Sequence, residues 1–199
     1  VARFNQTDAL ADYEDAKAKA ASLAGRMARL EAEILGTEPV FPDELKMYPQ
    51  LIKNQLSLLK RRRLSQLEEL ESLEKILVLV SEEISMNEPL LEFGDVSRTE
   101  ILRLRRQEAE LMAEITNKRN SYFSDVQAEY NETQEELTSI RQALLQKGRQ
   151  LSQKTLNAPL KGIVKNIRVT TEGGVIRPGE DVMEIVPIEN DFLIEAKLS

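Results

Sequence analysis

Residues 97–154 read SRTEILRLRRQEAELMAEITNKRNSYFSDVQAEYNETQEELTSIRQALLQKGRQLSQK, a stretch without proline in which Gly148 is the one glycine. Its apolar residues recur at steps typical of one face of an α-helix. They are Ile101, Leu104, Met112, Ile115, Tyr122, Val126, Leu137, Ile140, Leu144 and Leu151. Ser97 and Glu100 have the spacing of a capping box, in which each side chain binds the other residue's backbone N–H. The stretch therefore predicts one helix of roughly 87 Å, at about 1.5 Å per residue.

A shorter helix is predicted upstream, at residues 7–35. Thr7 or Asp8 supplies an oxygen for its N-cap, and Gly36 is a natural C-cap. The prolines that follow cannot lie in a helix interior, so the chain is interrupted before the next helix. Its apolar stripe consists of Leu10, Tyr13, Ala20, Leu23, Met27, Leu30 and Ile34.

A second helix is predicted at residues 50–85. Its leucines and β-branched residues follow the alternating three- and four-residue steps of a coiled coil. Arg63 and Gln66 stand at two positions where apolar residues are expected, which predicts a seam that is locally shifted or open. The basic run from Lys60 to Arg63 is interpreted as a solvated helix face or a partner contact.

Residues 86–97 are predicted to be the turn between the second helix and the long one, because Pro89 and Gly94 punctuate them. Two long helices joined by a short turn fold back as an antiparallel hairpin. The two upstream helices together slightly exceed the long helix in length, so they are expected to overlap for a few turns. The fold class is therefore mainly α with a small β part, and its main feature is a long antiparallel coiled-coil hairpin with a local third helix.

Composition excludes several classes of function. The 199 residues contain no Cys, no His and no Trp, which removes a thiol nucleophile, an imidazole base and the usual Cys/His zinc site. We therefore expect no catalytic residue, no metal site and no enzyme activity. The net charge of −7, with both signs interspersed, also disfavours nucleic-acid binding, which needs a basic face.

The last 45 residues switch to short β-type runs separated by glycine and proline, which predicts a small β unit at the base of the hairpin. The runs are Ile163–Val164, Ile167–Val169, Val175–Ile176, Val182–Val186 and Phe192–Ile194. Residues 156–164 (LNAPLKGIV) and 173–187 (GGVIRPGEDVMEIVP) resemble the second half of the lipoyl/biotinyl-like domain in the HlyD family of membrane fusion proteins. The residues that carry this resemblance are Ala158, Pro159, Gly162, Gly173, Gly174, Pro178 and Gly179.

In that family a helical hairpin is inserted between two lipoyl half-motifs. The resemblance therefore implies that residues 1–4 end the first half-motif and residues 5–155 form the hairpin domain. Residues 156–190 then form the second half-motif, and residues 191–199 begin a β-barrel domain. The exposed hairpin lysine of a lipoyl or biotin carrier is missing, so no cofactor is expected.

The resemblance also singles out the hairpin tip. Related adaptors carry Arg-x3-Leu-x6-Ser there, and Leu90 and Ser97 have the required separation. Met86 stands where the arginine is expected, so Arg98 is the alternative source of positive charge. The residues expected to contact an outer-membrane channel are Leu90, Leu91, Gly94, Asp95, Ser97 and Arg98. In the alternative interpretation, Leu90 only staples the turn and Ser97 only caps a helix.

By this resemblance the chain is expected to be a periplasmic adaptor of a type I protein secretion system. Its expected partners are an inner-membrane ABC transporter, a TolC-like outer-membrane channel, a secreted protein cargo and further copies of itself, in a hexamer. An anchor in the bacterial inner membrane is expected outside this sequence, which has no signal peptide and no run of about 18 apolar residues. Alternatives are a drug-efflux adaptor, a coiled-coil scaffold or an enzyme carrier domain. Off-seam residues such as Leu64, Leu67, Tyr130 and Leu145 contact neighbouring copies or are scattered surface residues.

Overall fold

The computed structural model describes residues 2–168, 171, 174–177 and 179–188. The chain divides into two compact units, Ala11–Gly148 and the combination of Val1–Leu10 with Arg149–Ser199. The elements in chain order are β1 (Ala2–Arg3), α1 (Thr7–Leu35), a 3₁₀ helix (Asp43–Met47), α2 (Pro49–Phe93), α3 (Arg98–Gln153), β2 (Thr155–Leu156), β3 (Gly162–Lys165) and β4 (Glu184–Pro187).

Helices α2 and α3 form an antiparallel hairpin. The ion pair between Glu69 and Lys118 and the pair between Glu88 and Arg105 show the direction, because residues later in α2 meet residues earlier in α3. Helix α1 joins them where Arg29 binds Gln55 of α2 at 2.9 Å. The predicted long hairpin with a local third helix is therefore confirmed.

Helix α1 packs through alanines more than through the predicted larger residues. Its buried face includes Ala16, Ala20, Ala24, Ala28 and Ala32, whereas Leu10 at the N-terminal end is 47 % exposed. Small side chains at every fourth position let a neighbouring helix approach closely. Gly25 continues this face, since a Cβ there would lie 2.7 Å from Leu51 Cδ2.

The 3₁₀ helix closes the core of the three-helix stretch. Leu45 is fully buried in a cluster with Ala20, Ala24 and Leu137. Burial of such a leucine contributes about 1.5–3 kcal/mol. The interruption between α1 and α2 is thus a core-forming segment as well as a connection. A second cluster, of Val80, Ile84 and Leu104, lies further along the hairpin.

The predicted end of the second helix at Ser85 is wrong, because α2 continues to Phe93 with Pro89 inside it. Proline removes one N–H from the ladder and crowds the carbonyl four residues earlier. That carbonyl belongs to Ser85, which is exposed to water and can be solvated. The helix ends instead at Gly94, whose φ of 79° is the left-handed conformation of a C-cap. The turn is therefore shorter than the predicted 86–97 tip.

In the smaller unit, β1 pairs antiparallel with β2, and β3 pairs antiparallel with β4 from Gly162↔Pro187 to Lys165↔Glu184. The ladder is interrupted at Asn166, which has a φ of 50°. Pairing resumes with the Arg168 N–H donating to the Val182 carbonyl at 3.1 Å, as at a β-bulge.

Several predicted β runs differ from this arrangement. Ile167 and Arg168 lie outside regular strands because of the bulge, and Val175 and Ile176 have no ladder partner among the described residues. Val169, Gly173, Pro178 and residues 191–199, including Phe192–Ile194 and the predicted start of a β-barrel domain, lie outside the described residues.

Candidate functional site

The hairpin tip is built from two helix caps. The Gly94 N–H donates to the Leu91 carbonyl at 3.3 Å, and the Asp95 N–H donates to the Leu90 carbonyl at 3.1 Å. This pair of bonds is the Schellman motif, which closes a helix over a left-handed glycine. The structure therefore fixes the conformation with which α2 delivers its last leucines to the turn.

Ser97 caps the start of α3. Its Oγ accepts a hydrogen bond from the Glu100 N–H at 3.2 Å. The Glu100 carboxylate binds Arg103 and so does not complete the predicted capping box, because a charged partner three residues away outcompetes a backbone N–H. This pairing also lowers the pKa of Glu100, chiefly through the hydrogen bond from Arg103.

The six predicted tip residues lie within a single turn and its flanking helix ends, and all are exposed to solvent. Phe93, which the sequence did not single out, is 78 % exposed beside Gly94. An aromatic residue immediately before the capping glycine is the signal that could have identified it. The tip thus presents apolar side chains from α2 next to the charged side chains of Asp95 and Arg98.

Arg98 does not occupy the level of Met86, where the family motif has its arginine. It begins α3 right after the turn, whereas Met86 lies two helical turns below Gly94. The α3 residue that lies near this level is Arg105, which pairs with Glu88. Positive charge near Met86 therefore comes from α3, at Arg105, rather than from Arg98.

A second cluster of polar groups, which we call the ion cluster, lies where all three helices meet. It consists of Arg26, Arg29, Glu33, Gln55, Arg62, Tyr122 and Glu129. Arg29 is 1 % exposed and donates to Glu33 of its own helix and to Glu129 of α3 at 2.7 Å. Arg62 of α2 donates to Glu129 at 2.8 Å and pairs with Glu33 at 3.3 Å.

The electrostatics of the ion cluster keep the Glu129 carboxylate charged. Burial alone would raise the pKa of Glu129, but hydrogen bonds from Arg62 and Arg29 outweigh burial and lower this pKa to about 2. Tyr122 donates to Glu33 at 3.0 Å, and burial together with the charge of Glu33 raises the pKa of the Tyr122 phenol. Glu129 therefore stays ionised over the physiological range, and Tyr122 keeps its proton.

This cluster corrects the interpretation of the basic run and shows which of its residues stand at the seam. Arg62 and Arg63 are not part of a solvated basic face, since Arg62 enters the cluster and Arg63 donates to the Ala32 carbonyl at the end of α1 at 2.9 Å. At the predicted seam position Arg63 the contact is with α1, and Arg62, one residue earlier, makes the polar contact with α3. The seam is therefore locally shifted here, as predicted. Polar residues at seam positions, opposite a third helix, were the sequence signal for the ion cluster.

In the smaller unit, glycine is required at position 162 because the backbone of β4 lies close against it. A Cβ on it would collide with the Val186 carbonyl oxygen of β4 and with Ile185 Cγ2 at 2.5 Å. Gly179 has a φ of 84°, and the Gly174 N–H donates to the Thr171 carbonyl at 3.1 Å. Ala158 and Pro159 are exposed. Gly173 and Pro178 lie outside the described residues.

Across the part of the chain that the structure describes, none of the helices combines the length and the apolar character needed to cross a membrane.

Comparison with known proteins gives consistent results, although no protein-family model matches the chain. The chain is 31 % identical over 96 residues to the alkaline protease secretion protein AprE of Pseudomonas aeruginosa, covering 48 % of this chain and 22 % of that protein. It is 37 % identical over 81 residues to the proteases secretion protein PrtE of Dickeya chrysanthemi, covering 40 % and 16 %. It is 28 % identical over 159 residues to the type I secretion system membrane fusion protein PrsE of Rhizobium meliloti, covering 66 % and 35 %.

The fold is similar to the crystal structure of the soluble domain of LipC, a membrane fusion protein of a type I secretion system. The TM-score is 0.63 at 20 % identity, covering 93 % of this chain and 88 % of that one. These matches confirm the resemblance to membrane fusion proteins of type I secretion systems, and none of the matched proteins is named as an enzyme. The chain spans about a fifth of the length of AprE and about a third of that of PrsE.

Proposed function

We propose that this chain is part of a periplasmic adaptor in a type I secretion system. In this proposal the adaptor is anchored in the bacterial inner membrane beside an ABC transporter, and the hairpin tip contacts a TolC-like outer-membrane channel. Several copies, six by family resemblance, surround the path of a secreted protein. The observation that carries the proposal is the likeness to three secretion proteins, joined to a hairpin whose capped tip is exposed.

The tip supports a docking role through its geometry. Two caps fix the backbone on both sides of the turn, so the exposed Leu90, Phe93 and Asp95 are presented in a defined arrangement. Docking then loses little conformational entropy, because the contact surface is ordered before binding. An apolar centre beside charged residues is also the usual composition of a protein interface.

The three-helix stretch supports a mechanical role in the same proposal. An adaptor has to hold a distance between two membranes, and a two-helix hairpin bends more easily than a three-helix one. The ion cluster ties α1 to α2 and α3 at a single level, and Leu45 seals the same region with apolar contacts. These residues set shape and stiffness, and the transporter supplies the energy of transport.

The names of two relatives point to protease secretion, so we propose a secreted protein as the cargo in preference to a small drug. Deletion of the gene tests this. The proposal expects a secreted protein to disappear from the culture medium and to accumulate in the cells, while resistance to efflux-pump substrates is unchanged. Restored secretion on return of the intact gene is the control. A strain that secretes normally but loses drug resistance would support the efflux alternative and contradict the proposal.

A further inference from the structure

Helix α2 carries a second apolar stripe that runs beside its seam with α3. Within the hairpin, α2 buries Val80 and Ile84. Ile76, Leu79 and Met86 follow the same coiled-coil spacing but are all exposed, Met86 by 67 %. Two glutamates complete the pattern, so the α2 stripe is Glu69, Ser72, Ile76, Leu79, Glu83 and Met86. A helix with two heptad-spaced stripes can pack against two partners.

Helix α3 carries a matching stripe of its own. Leu102, Met112 and Phe123 are each more than half exposed, and small or polar residues fill the heptad positions between them. The α3 stripe is Leu102, Arg105, Ala109, Met112, Thr116 and Arg119, continued by Phe123.

The two stripes lie on opposite faces of the hairpin. The pairs Glu74–Arg119 and Glu88–Arg105 run along one edge of the hairpin, and the α3 stripe contains both of these arginines. Each residue turns an α-helix by about 100°, which places Leu79 and Met86 on the far side of α2 from Glu74, Ser81 and Glu88. One molecule cannot bring its two stripes together.

The two stripes are complementary when the α2 stripe is aligned antiparallel to the α3 stripe. Glu69 then meets Arg119, and Glu83 meets Arg105. Between and beyond these charges, the remaining pairs are Ser72 with Thr116, Ile76 with Met112, Leu79 with Ala109, and Met86 with Leu102. Two of the six pairs join opposite charges, three join apolar residues and one joins two hydroxyl residues, which favours this register over its neighbours.

This register also agrees with the level of the residues in the hairpin. Ile76 and Met112 both lie between the levels of the Glu74–Arg119 and Glu88–Arg105 pairs. Two copies that stand side by side and point the same way therefore bring the α2 stripe of one against the α3 stripe of the next. Arg105 and Arg119 already bind Glu88 and Glu74 within the chain, and Glu69 already binds Lys118. A guanidinium has further N–H donors, and a carboxylate has further acceptor sites, so each group can bind a second partner from the next copy.

We propose that the α2 stripe of one copy binds the α3 stripe of the next copy in a repeating head-to-tail contact. Such a heterologous contact uses two different surfaces of each subunit, so it builds a ring or an open array and not a closed dimer. The inference rests on the proposed function, in which several copies surround one conduit, and it assigns the helix faces that hold them together.

Cysteine crosslinking tests the contact, because these 199 residues contain no cysteine and any cysteine elsewhere in the full-length protein is first replaced by serine. The full-length protein carrying Ile76→Cys and Met112→Cys is oxidised in its own cells and separated without reducing agent. We expect a ladder of disulfide-linked multimers from the double variant and no such product from either single variant. The control is Lys75→Cys with Met112→Cys, which moves one thiol by a single residue to the exposed outer side of α2, and should lower the multimer yield at least several-fold.

Charge reversal gives a second measurement. Glu83→Arg, made in the Ile76→Cys and Met112→Cys background, should lower the yield of multimers several-fold, and the further change Arg105→Glu should restore it. A double variant that folds normally but gives no ladder would overturn the proposal. So would dimers from Ile76→Cys alone, since they show a two-fold contact. If multimers are missing while the tip still crosslinks to a channel, the adaptor function stands and this interface fails. If multimers form while the tip crosslinks to no channel, this interface stands and the adaptor function fails.

Discussion

The Arg29 guanidinium of α1, almost completely buried, donates to the Glu129 carboxylate of α3 at 2.7 Å. This contact connects the first helix to the last, between residues that are 100 positions apart in the sequence. It works together with Arg62 of α2, which donates to the other oxygen of Glu129. One carboxylate therefore receives a cation from each of the two other helices, and the three helices are held in one register.

Removal of Arg29 should destabilise the protein strongly. Arg29→Met leaves the buried Glu33 carboxylate and the partly buried Glu129 carboxylate with fewer cations, and breaking a buried pair from one side costs about 3–5 kcal/mol. Urea unfolding followed by circular dichroism measures the change in the free energy of unfolding. Arg103→Met, which removes an exposed pair with Glu100, is the control and should change stability far less. Equal effects of the two substitutions would show that the ion cluster does not hold the helices together.

Acid should lower the stability of the three-helix stretch within a defined pH range. The pKa of Glu129 is lowered from its ordinary value of 4.5 to about 2 in the folded protein. A lowered pKa contributes stability that is complete above the unfolded value and is lost as pH falls through the folded value. The wild type should therefore lose stability between about pH 4.5 and pH 2, and Glu129→Gln should lose less over the same range while being less stable at pH 7. The exposed Glu110→Gln is the control, and an identical acid profile for all three proteins would contradict this expectation.

The 3₁₀ helix should contribute to the stability of the protein mainly through the side chain of Leu45. Leu45→Ala removes a fully buried side chain, and such truncations cost about 2–5 kcal/mol through lost burial and a residual cavity. Met47→Ala, two residues away at a side chain that is 72 % exposed, should be close to neutral. Thermal unfolding of the two variants compares them directly. A neutral Leu45→Ala would mean that the segment does not close the core.

Gly162 should not tolerate a side chain. The Cβ of Gly162→Ala would meet the backbone of β4 at Val186, and backbone atoms cannot move aside as the end of a flexible side chain can. We expect faster amide hydrogen exchange in β3 and β4 and no change within α1–α3. Lys161→Ala, at the exposed preceding residue, is the matched control. Unchanged exchange at Val186 in Gly162→Ala would contradict the close approach.

The sequence predicted the helical hairpin well because proline and glycine mark its interruptions and the apolar spacing is regular between them. It misjudged the end of α2 because Pro89 was weighted above Gly94, although a proline loses one hydrogen bond while a left-handed glycine turns the chain. The ion cluster was missed for a different reason. Arg62 and Glu129 look like surface charges until the third helix covers them, and which charges a third helix covers depends on tertiary register. The exposed stripes of α2 and α3 became visible only once the seam between these helices was known.

The central claim is that the hairpin tip contacts an outer-membrane channel. Photocrosslinking in living cells tests it most directly, with a photoreactive residue replacing Leu90, Asp95 or Arg98 in the full-length protein and, as the control, the exposed Glu68 in the middle of α2. The account predicts a crosslink to an outer-membrane channel protein from the tip positions and none from position 68. A tip that crosslinks to no outer-membrane protein, while the same cells secrete normally, would contradict the adaptor function proposed for this chain.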